Sequence, residues 1–256
     1  MNDLTVEMQH GSSGAVLDIQ KHFVRKTGDG AVGERVLTQA RWLDEHHSSV
    51  VPVIYDVMPN GYMMERLEEV EPFSLGVADL DAIIGRLSRG VWYHQAEVHL
   101  NETAHYEKML GLEKEFASQA MKLFLWEFRE TAFDDDQRRC LTHGDPTMDN
   151  VMRRNGYFVI TDPIAATPAV PDLWAVDLGK ILQSLTGFEV ARYGAAPHNP
   201  IEVRPQHLLD TLDWNDRIRA VYWCVVHYLR AMPYIDDTIH DKLRRCAEDA
   251  ISLIRR

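Results

Sequence analysis

At 256 residues, 45% of them hydrophobic, the chain can bury a substantial core as one large domain or as two lobes. Its 27 Lys and Arg against 39 Asp and Glu leave a net charge of −12, which argues against nucleic acid or an anionic membrane surface as a partner. Three cysteines without paired spacing, Cys140, Cys224 and Cys246, exclude a disulfide framework or a zinc site and imply reduced thiols and a cytoplasmic home. The amino terminus carries no basic-then-apolar signal segment, and the longest apolar stretch, Ala220 to Leu229, is too short to span a bilayer.

In chain order, Leu4 to Met8 and Ala15 to Ile19 read as strands around a small polar loop that contains Ser12 and Ser13. A third strand follows at His22 to Thr27. Its alternation puts Val24 and Lys26 on one face and Phe23 and Arg25 on the other. Gly33 to His46 reads as a helix, with Val36, Ala40 and Leu43 on one side. Val50 to Met58 and Tyr62 to Leu67 are apolar-rich runs joined by the turn signal Pro59-Asn60-Gly61. From Val77 onward the character changes to long helices. Phe116, Ala120, Leu123, Phe124 and Phe128 share one helical face, and Ile218, Val221, Tyr222, Val225 and Leu229 share another. Between them Asp177 to Leu185 forms a helix that Gly187 is placed to end. The shift from strands to helices predicts two lobes, residues 1–70 and 71–256. Acidic runs such as Asp134-Asp135-Asp136 read as solvated faces, and Pro197 to Pro205 as an exposed loop.

The most informative stretch is His143-Gly144-Asp145-Pro146-Thr147-Met148-Asp149-Asn150, followed by Ile160-Thr161-Asp162-Pro163. Val151 to Arg154 and Tyr157 to Ile160 read as a hairpin about Asn155-Gly156, a two-residue turn with positive φ at both positions. Counting outward from Arg154 opposite Tyr157 places Asp162 opposite Asp149 and beside Asn150, in a ladder whose facing Cα atoms lie roughly 4.5–5.5 Å apart. An amide oxygen and a carboxylate held together suit Mg²⁺, which takes one or two protein ligands and leaves its other positions to water and phosphate. Each residue alone is ordinary turn composition. Together they match phosphoryl transfer, where one Asp accepts the proton of the attacking hydroxyl and an Asn and a later Asp hold metal.

This stretch resembles the catalytic and metal-binding loops of the aminoglycoside phosphotransferase-like family, small-molecule kinases of the protein-kinase-like fold. His143-Gly144-Asp145 with Asn150 stands where protein kinases have His-Arg-Asp-x-x-x-x-Asn, and Thr161-Asp162-Pro163 stands for Asp-Phe-Gly. The resemblance implies an α+β, bilobal fold with a small antiparallel-sheet lobe carrying one helix and a larger, mostly helical lobe. It implies an ATP- and Mg²⁺-dependent phosphotransferase acting on a hydroxyl of a sugar, amino sugar, amino alcohol or similar compound. Asp145 would be the catalytic base, with Asn150 and Asp162 as metal ligands. Lys26, or Arg25 in its place, would reach the α- and β-phosphates, steadied by Glu34 or Gln39. Ser12 and Ser13 would lie over the phosphates, and the main chain around Glu65 and Leu67 would meet the adenine edge. Asp177, with Asp172 as the alternative, would brace the catalytic loop, and Leu185 to Glu189 would border the acceptor pocket. No Ala-Pro-Glu segment follows Asp162, which disfavours a protein kinase. A catalytically silent nucleotide-binding module is the other alternative.

Overall fold

A computed structural model of the chain describes residues 7–10, 14–46, 49–70, 74–134, 138–193 and 203–254. It divides into two compact units, Met1–Val70 with Asn150–Ala165, and Glu71–Asp149 with Ala166–Arg256. The expected division at residue 70 therefore acquires a return crossing, because residues 150–165 pack with the first unit.

In the first unit, β1 (Glu7–His10), β2 (Val16–Ile19), β3 (Phe23–Thr27), β4 (Ile54–Met58) and β5 (Gly61–Glu65) form an antiparallel sheet in the order β1-β2-β3-β5-β4. Helix α1 (Gly30–Glu45) buries Val36, Ala40 and Leu43, the face that the 3.6-residue period picks out. A second sheet pairs β6 (Glu68–Glu69) with β7 (Val151–Arg154) and β7 with β8 (Tyr157–Ile160). Polar groups tie this hairpin to the first unit. The Ile160 N–H donates to the Val50 carbonyl at 2.8 Å, and Arg154 donates to the Val51 carbonyl at 2.8 Å and, through Nε, to the Glu65 carboxylate at 2.9 Å.

The second unit holds α2 (Val77–Gly90), α3 (Glu102–Phe116), α4 (Gln119–Glu127), α5 (Arg129–Phe133), α6 (Trp174–Leu185), α7 (Phe188–Tyr193), α8 (Pro205–Asp210), α9 (Trp214–Ala231) and α10 (His240–Ser252). The apolar face expected over residues 116–128 is split between α3 and α4. Ser118 starts the second helix by accepting the Met121 N–H at 3.4 Å, and this N-cap turns Leu123 out, 51% exposed. Helix α9 is buried along most of its length and packs on α6. Gly179 sits where the two backbones come closest. A Cβ there would lie 2.7 Å from the Trp223 carbonyl carbon and 2.7 Å from the Cys224 nitrogen. Since main-chain atoms cannot rotate aside, Gly179→Ala is expected to destabilise the protein by about 1–3 kcal/mol, the usual range for overpacking. Thermal unfolding of the variant checks this, and an unchanged midpoint would refute the close approach. All three cysteines are free thiols. No helix of the described residues is long and apolar enough to cross a membrane.

Candidate active site

In the first unit the site begins at the hairpin. Asn155 and Gly156 have φ of 50° and 80°, the turn that the Asn-Gly pair selects, and the ladder runs from Arg154 opposite Tyr157 to Val151 opposite Ile160. Thr161 extends it by one step, since its N–H and hydroxyl donate to the Asn150 carbonyl at 2.9 and 3.2 Å. There the pairing stops, because Met148–Asn150 is a 3₁₀ turn and Asp162 has φ of +59°. The expected pairing of Asp149 with Asp162 is thus not made. A left-handed conformation is uncommon outside glycine, although Asp tolerates it better than most residues. The Asp162 carboxylate lies 2.7 Å from Lys26 Nζ, and Lys26 itself is 2% exposed. An ammonium so far removed from water needs an anion at this distance.

The neighbouring cation points elsewhere: Arg25 is 46% exposed and reaches Asp18 at 3.8 Å. Lys26 is thus the residue brought to Asp162. The structure does not bring Glu34 to it. Glu34 is exposed on α1, and among the described residues the ion-pair partner of Lys26 is Asp162. Gln39 has a buried amide oxygen without a hydrogen-bond partner among the described residues. Glu65 is engaged within the unit. Its N–H donates to the Val53 carbonyl at 3.0 Å, and its carboxylate accepts the Val53 N–H at 2.7 Å besides pairing with Arg154. Leu67 is buried. Ser12 and Ser13 lie outside the described residues. Tyr62, opposite Lys26 in the sheet, is fully buried, and burial followed by the charge of Asp162 pushes its phenol well above the ordinary value.

Asn150 and Asp162 supply hard oxygen donors of the kind Mg²⁺ takes, so the residues present fit that ion. Among the described residues no group of three His, Cys, Asp or Glu could hold a metal.

In the second unit, two buried carboxylates hold the loop that carries Asp145. Asp177, in the first turn of α6, accepts the N–H groups of His143 and Gly144 at 2.9 and 2.7 Å and Trp92 Nε1 at 2.8 Å. Gly144 takes φ of +77°, which aims its N–H at Asp177 without the steric cost of a Cβ. Asp172 accepts the Thr142 N–H and hydroxyl at 3.0 and 2.9 Å and the Val98 N–H at 2.8 Å. The two acidic residues that the sequence offers as alternatives therefore both brace the loop. A third contact comes from α6 and α7: Ser184 accepts the Met148 N–H at 3.2 Å and donates to Glu189. Glu189 is turned inward, 1% exposed, instead of lining an open border.

Burial pushes Asp177 and Glu189 each up to about 7, against the hydrogen bonds that favour their ionised forms. A carboxyl whose pKa rises on folding binds its proton more tightly in the folded state. Its contribution is complete below the unfolded pKa, near 4, and is lost as pH climbs through the folded value. Thermal stability is thus expected to fall between about pH 5 and pH 8, and Glu189→Gln to flatten part of that fall. Melting curves across this range check it, and an unchanged slope in the variant would exclude Glu189 as a source.

Lys180, three residues after Asp177 on α6, places Nζ 3.0 Å from Asp145 Oδ1. Sequence reasoning missed this partner. The available signal was the one Lys of this helix, three positions after the bracing Asp177 and so on the same face.

No protein-family model matches the chain, and no curated protein matches it in sequence. Solved structures do match in fold. A choline/ethanolamine kinase family protein from Mesorhizobium loti superposes with a TM-score of 0.62 at 13% identity, covering 99% of this chain and 90% of that one. A choline kinase from Streptococcus pneumoniae gives 0.57 at 13% identity, covering 97% and 93%. An aminoglycoside phosphotransferase solved with AMP-PNP and hygromycin B gives 0.58 at 14% identity, covering 99% and 93%. The chain has the α+β, protein-kinase-like fold that these small-molecule kinases share.

Proposed function

We propose that this protein is a phosphotransferase that moves the terminal phosphoryl group of ATP to a hydroxyl of a small molecule. The observation that carries this reading is the ion pair of the buried Lys26 with Asp162 at 2.7 Å, in a chain whose Asp145 loop is held by two buried carboxylates. Asp145 orients the acceptor hydroxyl and takes its proton as the new oxygen–phosphorus bond forms and the bond from the γ-phosphorus to the β–γ bridging oxygen breaks, with ADP as the leaving group. Lys26 exchanges Asp162 for oxygens of the α- and β-phosphates and neutralises their charge. Asn150 and Asp162 would hold Mg²⁺, which would supply further charge neutralisation on the triphosphate. The main chain at Leu67 would meet the adenine edge. Glu65 is left out of that role, because its N–H and carboxylate are engaged within the first unit. Residues 1–70 with 150–165 carry the nucleotide roles, and the remainder carries the base and the acceptor. Three cysteines without paired spacing support a cytoplasmic home.

The kinase neighbours support the reaction class, and each is recorded with a small-molecule acceptor in its name or its complex. A panel of sugars, amino sugars and amino alcohols, assayed for ATP consumption with Mg²⁺ beside an Asp145→Asn control, tests the reading. Turnover with a panel member that the control lacks is expected. ATP consumption that is equal in both proteins would overturn the role of Asp145.

A further inference from the structure

Helix α6 runs beside the Asp145 loop and meets it at successive points in one register. Asp177 accepts the His143 and Gly144 N–H groups, Lys180 pairs with the Asp145 carboxylate at 3.0 Å, and Ser184 accepts the Met148 N–H at 3.2 Å. These three positions are spaced by three and then four residues, which puts their side chains on one helical face. The helix is a firm support, because every residue from Ala175 to Leu185 except Lys180 is buried and its backbone lies against α9 at Gly179. The contacts differ in kind. Asp172 and Asp177 hold the N–H groups of residues 142–144 and the Thr142 hydroxyl, and none of these bonds reaches the Asp145 side chain. They fix where the loop runs but not the rotation of the Asp145 carboxylate, since χ2 of Asp is a broad, two-fold torsion. Lys180 does reach that carboxylate. The loop supplies no cation of its own, with no Lys or Arg from His143 to Asn150. The Lys180 and Asp145 side chains are 13% and 22% exposed, so the pair is screened less than one at the surface.

Resting on the assignment of Asp145 as the catalytic base, we infer that Lys180 is a positioning residue for the reaction. Its ammonium sets the rotation of the Asp145 carboxylate, so that the carboxylate meets the acceptor hydroxyl in line for proton transfer. Lys180 acts through Asp145, and the proton passes from the hydroxyl to Asp145 alone. Misplacing a reacting group by about 1 Å can lower a rate about 10²-fold, so a base left free to turn is a slow one. The loss falls on kcat and spares nucleotide binding, because the nucleotide roles are assigned to the other compact unit.

A double-mutant cycle tests this with the acceptor that the panel identifies. kcat and KM for ATP are measured for the wild type, Lys180→Met, Asp145→Asn and the double variant, with thermal unfolding of each. Lys180→Met is expected to lower kcat about 10–100-fold while KM for ATP stays within about twofold of the wild type. Asp145→Asn has no carboxylate left to orient, so adding Lys180→Met to it should lower kcat by less than about twofold, because residues that act as a unit are not additive. A lysine that only supports the fold would lower kcat by the same factor in both backgrounds, and that additivity would overturn the inference. Wild-type kcat in a folded Lys180→Met, or a loss confined to KM for ATP, would overturn it as well. Should Lys180→Met fail to fold, Lys180→Gln, which keeps a polar end without the charge, is carried through the same cycle with the same outcomes. Absence of turnover in the wild type would remove phosphotransfer and this role together, whereas turnover that needs Asp145 but is additive with Lys180 removes this role alone.

Discussion

Replacing Asp145 with asparagine is expected to lower kcat by about 10²–10⁴-fold, the usual contribution of a positioned general base. The amide has nearly the same shape as the carboxylate, so the loop should keep its course, which Asp172 and Asp177 hold through six hydrogen bonds from residues 142–144 and from Val98 and Trp92. What disappears is the proton acceptor and the negative charge that Lys180 contacts at 3.0 Å. Nucleotide affinity should stay near the wild-type value, because the residues assigned to the phosphates and metal belong to the other compact unit. Steady-state rates together with equilibrium binding of Mg·ATP measure both. A fall in kcat smaller than about tenfold would remove Asp145 from the chemistry.

Asp162→Ala should act on two quantities at once, and they can be separated. The substitution deletes a proposed metal ligand and also strips the buried Lys26 ammonium of its anion. Breaking a fully buried pair costs about 3–5 kcal/mol, but the Asp162 side chain is 36% exposed, so a loss of about 1–3 kcal/mol is the appropriate expectation. Pairing it with Lys26→Met, which replaces the stranded charge with an apolar chain, should restore much of that stability. It should not restore Mg·ATP binding, since both the ligand and the phosphate cation are then gone. Thermal unfolding and nucleotide titration with Mg²⁺ or with EDTA are the two readouts. Metal-dependent ATP affinity surviving in the double variant would sink the proposed roles of both residues.

The hairpin was legible because its cause is local. Asn155-Gly156 needs positive φ at both positions, and that requirement sets the pairing of the four residues on either side. The buried face of α1 and the apolar length of α9 follow in the same way from spacing along the chain. The apolar periodicity over residues 116–128 hid the break that the Ser118 N-cap makes between α3 and α4. Tertiary structure decided the rest. Alternation allowed Lys26 or Arg25, and burial against Asp162 selected Lys26. The sequence nominated Glu34 to hold that lysine, whereas the anion that reaches it comes from 136 positions further along, by the difference between residues 162 and 26. Residues 150–165 fall in the first unit through contacts of Ile160 with Val50 and of Arg154 with Val51 and Glu65. Lys180 reaches Asp145 from a helix that begins well past it in the chain. Periodicity and turn chemistry report forces that act over a few residues. A buried charge, by contrast, is satisfied by whichever side chain the packed fold delivers, and that choice exists only once the chain has closed on itself.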